Sequence, residues 1–363
     1  MSNSKSIYTI VSTRPELIRL SRIIAKLDNM CQHTLIYTGQ NFDPKLSTIF
    51  FEDLNIRPPN VSFKNISSDF GAQIGLMFTE LEKHFERNRP DKVLILGDTN
   101  GCLCAIICKR LGIPIVHMEA GNRCGEWINE EVNRHIIDCI ADVHLPYTTL
   151  SKQNLLAEGI SNKDIFVTGN PIAEVLDYYS LQIEGSQSLL NLKLRPKEYF
   201  LATFHRNENV TDVAVLKHII HGLTSVSDTF KLPVVCAIHP KTKTNLEKFE
   251  IRVDLEKLIF IEPTNLSDFV KLEKNAVCII TDSGTCPEEG TILGVPSVII
   301  RETTERPELI QCGSTILSGT RSCDILDAVE TILKCDNNWK VPEEYTYLDV
   351  SDRVVKILLG NLK

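Results

Sequence analysis

The chain of 363 residues carries 39 lysines and arginines against 47 aspartates and glutamates, a formal net charge of −8, with 43% hydrophobic and 24% charged residues. This is the composition of a soluble globular protein. It argues against a nucleic-acid surface, which needs a basic face, but allows an anionic small ligand in a local basic pocket. The length exceeds one ordinary core and favours two domains.

The amino-terminal apolar run Ile7–Val11 is too short for a signal core or a membrane span, so the expected location is the cytoplasm, with no membrane partner. Apolar runs bounded by turns then predict strands at Ile7–Val11, His33–Tyr37, Lys92–Leu96, Ile113–Met118, Val143–Leu145 and Ile165–Thr168. A second set follows at Tyr199–Thr203, Pro233–Ile238, Leu258–Ile261, Val277–Thr281, Pro296–Ile300 and Ser314–Leu317. Continuous apolar strands separated by helical stretches specify parallel sheets covered on both faces. The turn-forming Gly169-Asn170-Pro171 separates the sets. The predicted fold is α/β, two Rossmann-like domains with parallel sheets facing a cleft: residues 1–170 and residues 171–347. A last helix near Val350–Leu359, within about 348–363, packs back onto the first domain. The twelve cysteines include no CxxC pair, and Cys102, Cys104 and Cys108 read as core packing. No metal and no cofactor are expected.

Ligands of open parallel sheets bind beyond the carboxyl ends of the strands, so polar residues just after strands are the candidates. After the first strand comes Ser12-Thr13-Arg14-Pro15-Glu16, with Arg19 one turn on. Guanidinium groups suit phosphate, although helix-start polarity explains them equally well. Asp98 in Gly97-Asp98-Thr99-Asn100 is placed for catalysis or for capping. Glu119, in His117-Met118-Glu119-Ala120-Gly121-Asn122-Arg123, and Glu130 and Glu131, with Arg134 close by, bring further acids from neighbouring loops. The plainer alternative there is an Arg–Glu pair steadying a helix start. His205 opens the second domain's first loop and suits proton donation near neutral pH. Thr281-Asp282-Ser283-Gly284-Thr285, followed by Glu288-Glu289, has the form of a strand–turn–helix anion site, with Glu289 in reach of ribose hydroxyls. It lacks a Walker lysine and dinucleotide glycine spacing.

These segments, STRPE at 12–16, GDT at 97–99, EAGNR at 119–123, NEEVNR at 129–134, HRNEN at 205–209, HPKTK at 239–243, TDSGTCPEE at 281–289 and TTERPE at 303–308, follow one another in a recognisable order. The chain resembles the non-hydrolysing UDP-N-acetylglucosamine 2-epimerases, which have two Rossmann-like domains of the GT-B type. The resemblance implies inversion of carbon 2 of a UDP-N-acetylamino sugar by elimination of UDP and re-addition. It also implies a homodimer and a role in surface polysaccharide synthesis. Carried over residue by residue, Asp98, Glu119 and Glu130 fall on the catalytic acids and His205 on the catalytic histidine. Arg14 and Arg19 fall on the amino-terminal basic pair, Ser283, Gly284 and Glu289 on UDP-binding positions of the second domain, and Arg306 on its arginine. Arg134, His239 and Thr285, inside the same motifs, complete the expected substrate-binding set.

Asn129 replaces the proline before the Glu pair, Thr285 replaces a second glycine, and Pro287 replaces a glutamine. Thr38–Asp43 lacks the Gln-His-Arg pattern linked with allosteric substrate binding. EAGNRC together with TGQNFD is similar to relatives that form UDP-N-acetyl-L-fucosamine from the L-talosamine epimer. A hydrolysing epimerase, a GT-B glycosyltransferase and an inactive UDP-sugar-binding protein are the competing readings.

Overall fold

The computed structural model describes residues 5–39, 51–63 and 69–361; the expectation placed on Gln40–Asp43 lies outside them. The chain divides into two compact units: residues 1–177 with 346–363, and residues 178–345. The first unit therefore runs on past Pro171.

The first unit holds a six-stranded sheet of β1 (Ser6–Val11), β2 (Gln32–Tyr37), β3 (Val61–Ser62), β4 (Lys92–Leu96), β5 (Ile115–Met118) and β6 (Val143–Leu145), in the order β3-β2-β1-β4-β5-β6. Every pairing is parallel. The second unit repeats the plan with β7 (Phe200–Thr203), β8 (Val234–Ala237), β9 (Leu258–Ile261), β10 (Ile279–Thr281), β11 (Ser297–Ile299) and β12 (Thr315–Leu317), in the order β12-β11-β10-β7-β8-β9. Both orders are the doubly wound Rossmann arrangement, so the predicted fold class is the one observed. The central strands are buried on both faces, which is why they read as unbroken apolar runs.

One predicted strand fails. Ile165 makes only an isolated bridge to His144. Phe166 N and Thr168 N still donate to His144 O and Pro146 O, but Pro146 has no N–H to return and the ladder stops. The sixth strand is instead the two-residue β3, too short to leave an apolar run.

Helix Arg14–Met30 buries Leu17, Leu20, Ile23, Ile24 and Leu27 at helical spacing. The carboxyl-terminal helix Val350–Leu359 packs against it and belongs to the first unit. Lys5 Nζ donates to the carbonyls of Leu359 and Gly360 at 2.8 Å, and Lys92 Nζ donates to Gly360 O at 2.9 Å. At the other end of the same helix, Ser351 N donates to Glu174 at 2.8 Å.

Candidate functional site

In each sheet the strand order reverses between two central strands, and the chain leaves those strands through candidate segments. In the first unit they are β1 and β4, followed by Ser12–Glu16 and Gly97–Asn100. Glu16 joins the two loops. It accepts from Ser12 N at 2.6 Å, Thr13 Oγ1 at 3.0 Å and Thr99 Oγ1 at 2.8 Å. Burial pushes its carboxyl up to about 7 in spite of these donors. The loops meet so closely that a Cβ on Gly101 would lie 1.6 Å from Ser12 Oγ, a position open only to glycine.

Asp98 is gripped from helix Asn129–Ile140. Arg134 Nε and Nη2 lie 2.7 and 2.6 Å from Asp98 Oδ2, and Asn133 Nδ2 donates to the Asp98 carbonyl at 2.8 Å. The same buried guanidinium donates through Nη1 to Glu131 Oε2 at 2.7 Å. Glu130 and Glu131 thus part company. Successive residues on a helix point about 100° apart, so Glu131 turns inward as an ion-pair partner. Glu130 is half-buried and makes no hydrogen bond or ion pair among the described residues.

Glu119 follows β5 with a left-handed backbone, φ 69°, which costs a non-glycine residue roughly 1–3 kcal/mol and clusters at functional positions. Its buried carboxylate pairs with Arg19 Nη1 at 3.0 Å and accepts from Asn122 Nδ2 at 3.2 Å and the Tyr147 hydroxyl at 3.3 Å. Gly97 lies against it: a Cβ there would sit 3.8 Å from Glu119 Oε2. Arg14 is half-buried at the start of its helix.

Beneath this loop lies a network that the sequence did not reveal. Asp138, 1% exposed, accepts from Gly121 N at 3.0 Å and pairs with His117 Nδ1 at 2.7 Å and Arg123 Nη1 at 2.8 Å. Burial alone would raise its carboxyl; His117, Arg123 and His144 outweigh it and bring the value down to about 2. For His117 burial favours the neutral ring, but Asp138 and the Gly97 carbonyl prevail and the net shift is upward.

In the second unit the central pair is β7 and β10, followed by His205 and Asp282. Asp282, fully buried, accepts from His205 N at 3.0 Å, Arg206 N at 3.0 Å and Asn209 Nδ2 at 3.0 Å, which fixes the His205 turn. The His205 side chain is 49% exposed, with Nδ1 3.5 Å from Asp282 Oδ1. The His239 ring lies 6.4 Å from it. His239 Nδ1 accepts from Lys241 N at 3.2 Å, capping helix Pro240–Lys248. Burial, then the neighbouring His205 and Lys241, lowers its pKa and favours the neutral ring that this acceptor role requires.

Ser283 Oγ lies 2.9 Å from Thr285 Oγ1 and accepts from Thr285 N at 3.2 Å, closing the turn before helix Cys286–Leu293. Gly284 packs against Glu305: a Cβ there would fall 2.7 Å from Glu305 Oε1, so that carboxylate would have to shift. Arg306 is enclosed, with its Nε on the fully buried Glu288. Glu289 is buried too, and with Glu273 and Cys286 it forms a group whose ligand atoms all lie within 4.8 Å of one another. This is the one cluster among the described residues that offers a metal three ligands.

Four predicted residues of the first unit are therefore joined in two pairs, Arg134 with Asp98 and Arg19 with Glu119. In the second unit Ser283, Gly284 and Thr285 form one turn, and His205 neighbours His239. Asn122, Asn133, Asp138, Tyr147 and Glu273 were not singled out as site residues. The available signal was a charged residue, Asp138, on the apolar face of an amphipathic helix beside Ile137.

The family model described as UDP-N-acetylglucosamine 2-epimerase matches residues 25–359. The chain is 38% identical over 360 residues to the UDP-N-acetylglucosamine 2-epimerase of Methanocaldococcus jannaschii, which covers 96% of this chain and 97% of the relative. Among solved structures, that organism's UDP-GlcNAc 2-epimerase in complex with UDP-GlcNAc and UDP is similar with a TM-score of 0.92 at 36% identity, covering 97% and 99% of the two chains. The UDP-N-acetylglucosamine 2-epimerase of Rickettsia bellii is similar with a TM-score of 0.89 at 38% identity, covering 99% and 97%. The strand-end acids, the serine–threonine turn before a helix and this near full-length likeness converge on one assignment: the chain belongs to the UDP-N-acetylglucosamine 2-epimerase family.

Proposed function

We propose that the protein interconverts UDP-N-acetylglucosamine and UDP-N-acetylmannosamine without releasing free sugar, by eliminating UDP and adding it back. The hydrogen on carbon 2 is not beside a carbonyl, so direct deprotonation is out of reach. Loss of UDP from carbon 1 as a carboxylate takes that proton leaves a glycal. Return of UDP to carbon 1, with a proton delivered to carbon 2 from the opposite face, completes the inversion. Asp98, Glu119 and Glu130 share the proton transfers. His205, Arg14, Arg19 and the turn at Ser283–Thr285 answer the charge that grows on the departing diphosphate. Arg134 orients Asp98, and Glu289 takes the ribose hydroxyls.

The observation that carries this reading is the pair of carboxylates at the ends of adjacent strands β4 and β5, each held by its own arginine. A buried arginine keeps a carboxylate ionised and aimed, as a general base requires. Helix Cys286–Leu293 starts without a side-chain cap, and the positive end of its dipole suits a diphosphate. The resemblance adds a homodimer serving surface polysaccharide synthesis.

The test is to incubate the purified protein in deuterium oxide, separately with UDP-GlcNAc, UDP-ManNAc and the UDP-N-acetyl-L-talosamine and L-fucosamine epimers. Proton NMR should show one pair equilibrating, with deuterium at carbon 2 of the product. Unlabelled product sinks the proton-exchange scheme, and accumulating free sugar identifies a hydrolysing enzyme. Equilibration of the L-sugars alone moves the substrate to that branch. Ligand binding without turnover leaves only a sensor.

A further inference from the structure

Glu273 sits on helix Leu266–Asn275 with its side chain fully buried, and neither carboxyl oxygen has a hydrogen-bond donor. It makes no ion pair among the described residues. The groups facing it from helix Cys286–Leu293 are Glu289 and Cys286, all three within 4.8 Å of one another. Tyr199 lies nearby, but its hydroxyl is spent on Leu272 O at 2.6 Å. On its own helix, Lys271 and Lys274 turn to Glu184. An ionised carboxylate in such a place, beside a second carboxyl and without a cation of its own, carries an uncompensated charge in low dielectric. Two carboxyls so close resolve the conflict by holding one proton between them.

We propose that Glu273 is a positioning residue: it holds a proton at neutral pH and shares it with Glu289, fixing the Glu289 carboxylate as acceptor for the ribose hydroxyls of UDP. Burial, then Glu289, drives the Glu273 carboxyl well above its usual range. Burial, then the two carboxyls, keeps the Cys286 thiol neutral, so the proton has no other owner in the group. The pair acts as a latch. The positioning role rests on the reading of Glu289 as a ribose acceptor; the shared proton does not.

The test combines infrared spectroscopy of the whole protein at neutral pH with calorimetry of UDP and 2′-deoxy-UDP binding. The wild-type minus E273Q difference spectrum should show the C=O stretch of a protonated carboxyl, above the amide band, with the contribution of the buried Glu16 carboxyl cancelled. Glutamine still donates to Glu289, so E273Q should bind UDP within about threefold of wild type. E273L should bind it about tenfold more weakly, the scale of one charge-assisted hydrogen bond, and should lose preference for UDP over 2′-deoxy-UDP. A missing carboxyl band overturns the shared proton, as does a stoichiometric metal in the purified protein whose removal alters UDP binding. A carboxyl band in the difference spectrum, together with E289Q that binds UDP like wild type, overturns the ribose reading and the positioning role with it.

Discussion

Asp138→Asn strikes the network beneath the Glu119 loop. Asp138 is buried against His117 and Arg123, and its carboxyl lies near 2 instead of 3.8. At 1.36 kcal/mol per pH unit, a drop of nearly two units corresponds to about 2 kcal/mol of stability from ionisation. The sign follows from a depressed carboxylate: the contribution is complete above the unfolded value near 4 and disappears as pH falls toward 2. The partner His117 is shifted upward, so its share is complete below about 6.5 and fades as pH rises through its folded value. Asparagine keeps an acceptor but strips the charge from a buried cation pair. The expected loss is roughly 3 kcal/mol at pH 6, the lower end for breaking a buried pair, because Arg123 retains Glu158. Urea unfolding followed by circular dichroism measures it. The gap between wild type and variant should narrow as pH drops from 4 to 3, and turnover should fall because the Glu119 loop loses its floor. A loss under about 0.5 kcal/mol, or a gap that ignores pH, refutes the argument, since neither fits a depressed buried carboxylate.

Arg134→Met leaves Asp98 and Glu131 without their shared guanidinium. Turnover should fall by about 10²-fold with a smaller change in KM, as fits a misaimed acid–base group, and equal effects on both parameters would count against that role. Glu16→Gln probes the loop clamp. Its raised value near 7 means the native state keeps a proton that the unfolded chain releases, so this group erodes wild-type stability as pH climbs from 4.5 to 7, by about 3 kcal/mol. The glutamine variant should gain relative to wild type by that amount between pH 4.5 and pH 8, and parallel stability curves would disprove the assignment. Asp98→Asn and Glu130→Gln should each lower turnover by about 10²-fold or more while UDP binding holds. A variant with near-wild-type rates leaves the list of acids.

The strands were legible because a parallel sheet buries both faces and writes itself as unbroken apolar runs. Lys92–Leu96, Val143–Leu145 and Leu258–Ile261 were read to the residue. Val61–Ser62 was not, since two residues hold no pattern, and Ile165–Thr168 misled because its apolar run meets Pro146, whose missing N–H no single segment discloses. At the candidate site, position after a strand picked out Asp98, Glu119, His205 and Ser283. It could not tell Glu130 from Glu131, because the difference is set by Arg134 bridging back to Asp98. The partners of Arg306 and Asp138 also come from distant segments, and spacing along the chain does not encode them.

The helix Val350–Leu359, locked to Lys5, Lys92 and the Arg14–Met30 helix, has a consequence for synthesis. Lys5 has to wait for a partner made 354 residues later. Until this helix emerges from the ribosome, the apolar stripe that it covers stays open to solvent, while the contiguous second unit is already free to mature. Deleting helix Val350–Leu359 removes no candidate site residue, yet it should leave the first unit prone to aggregate.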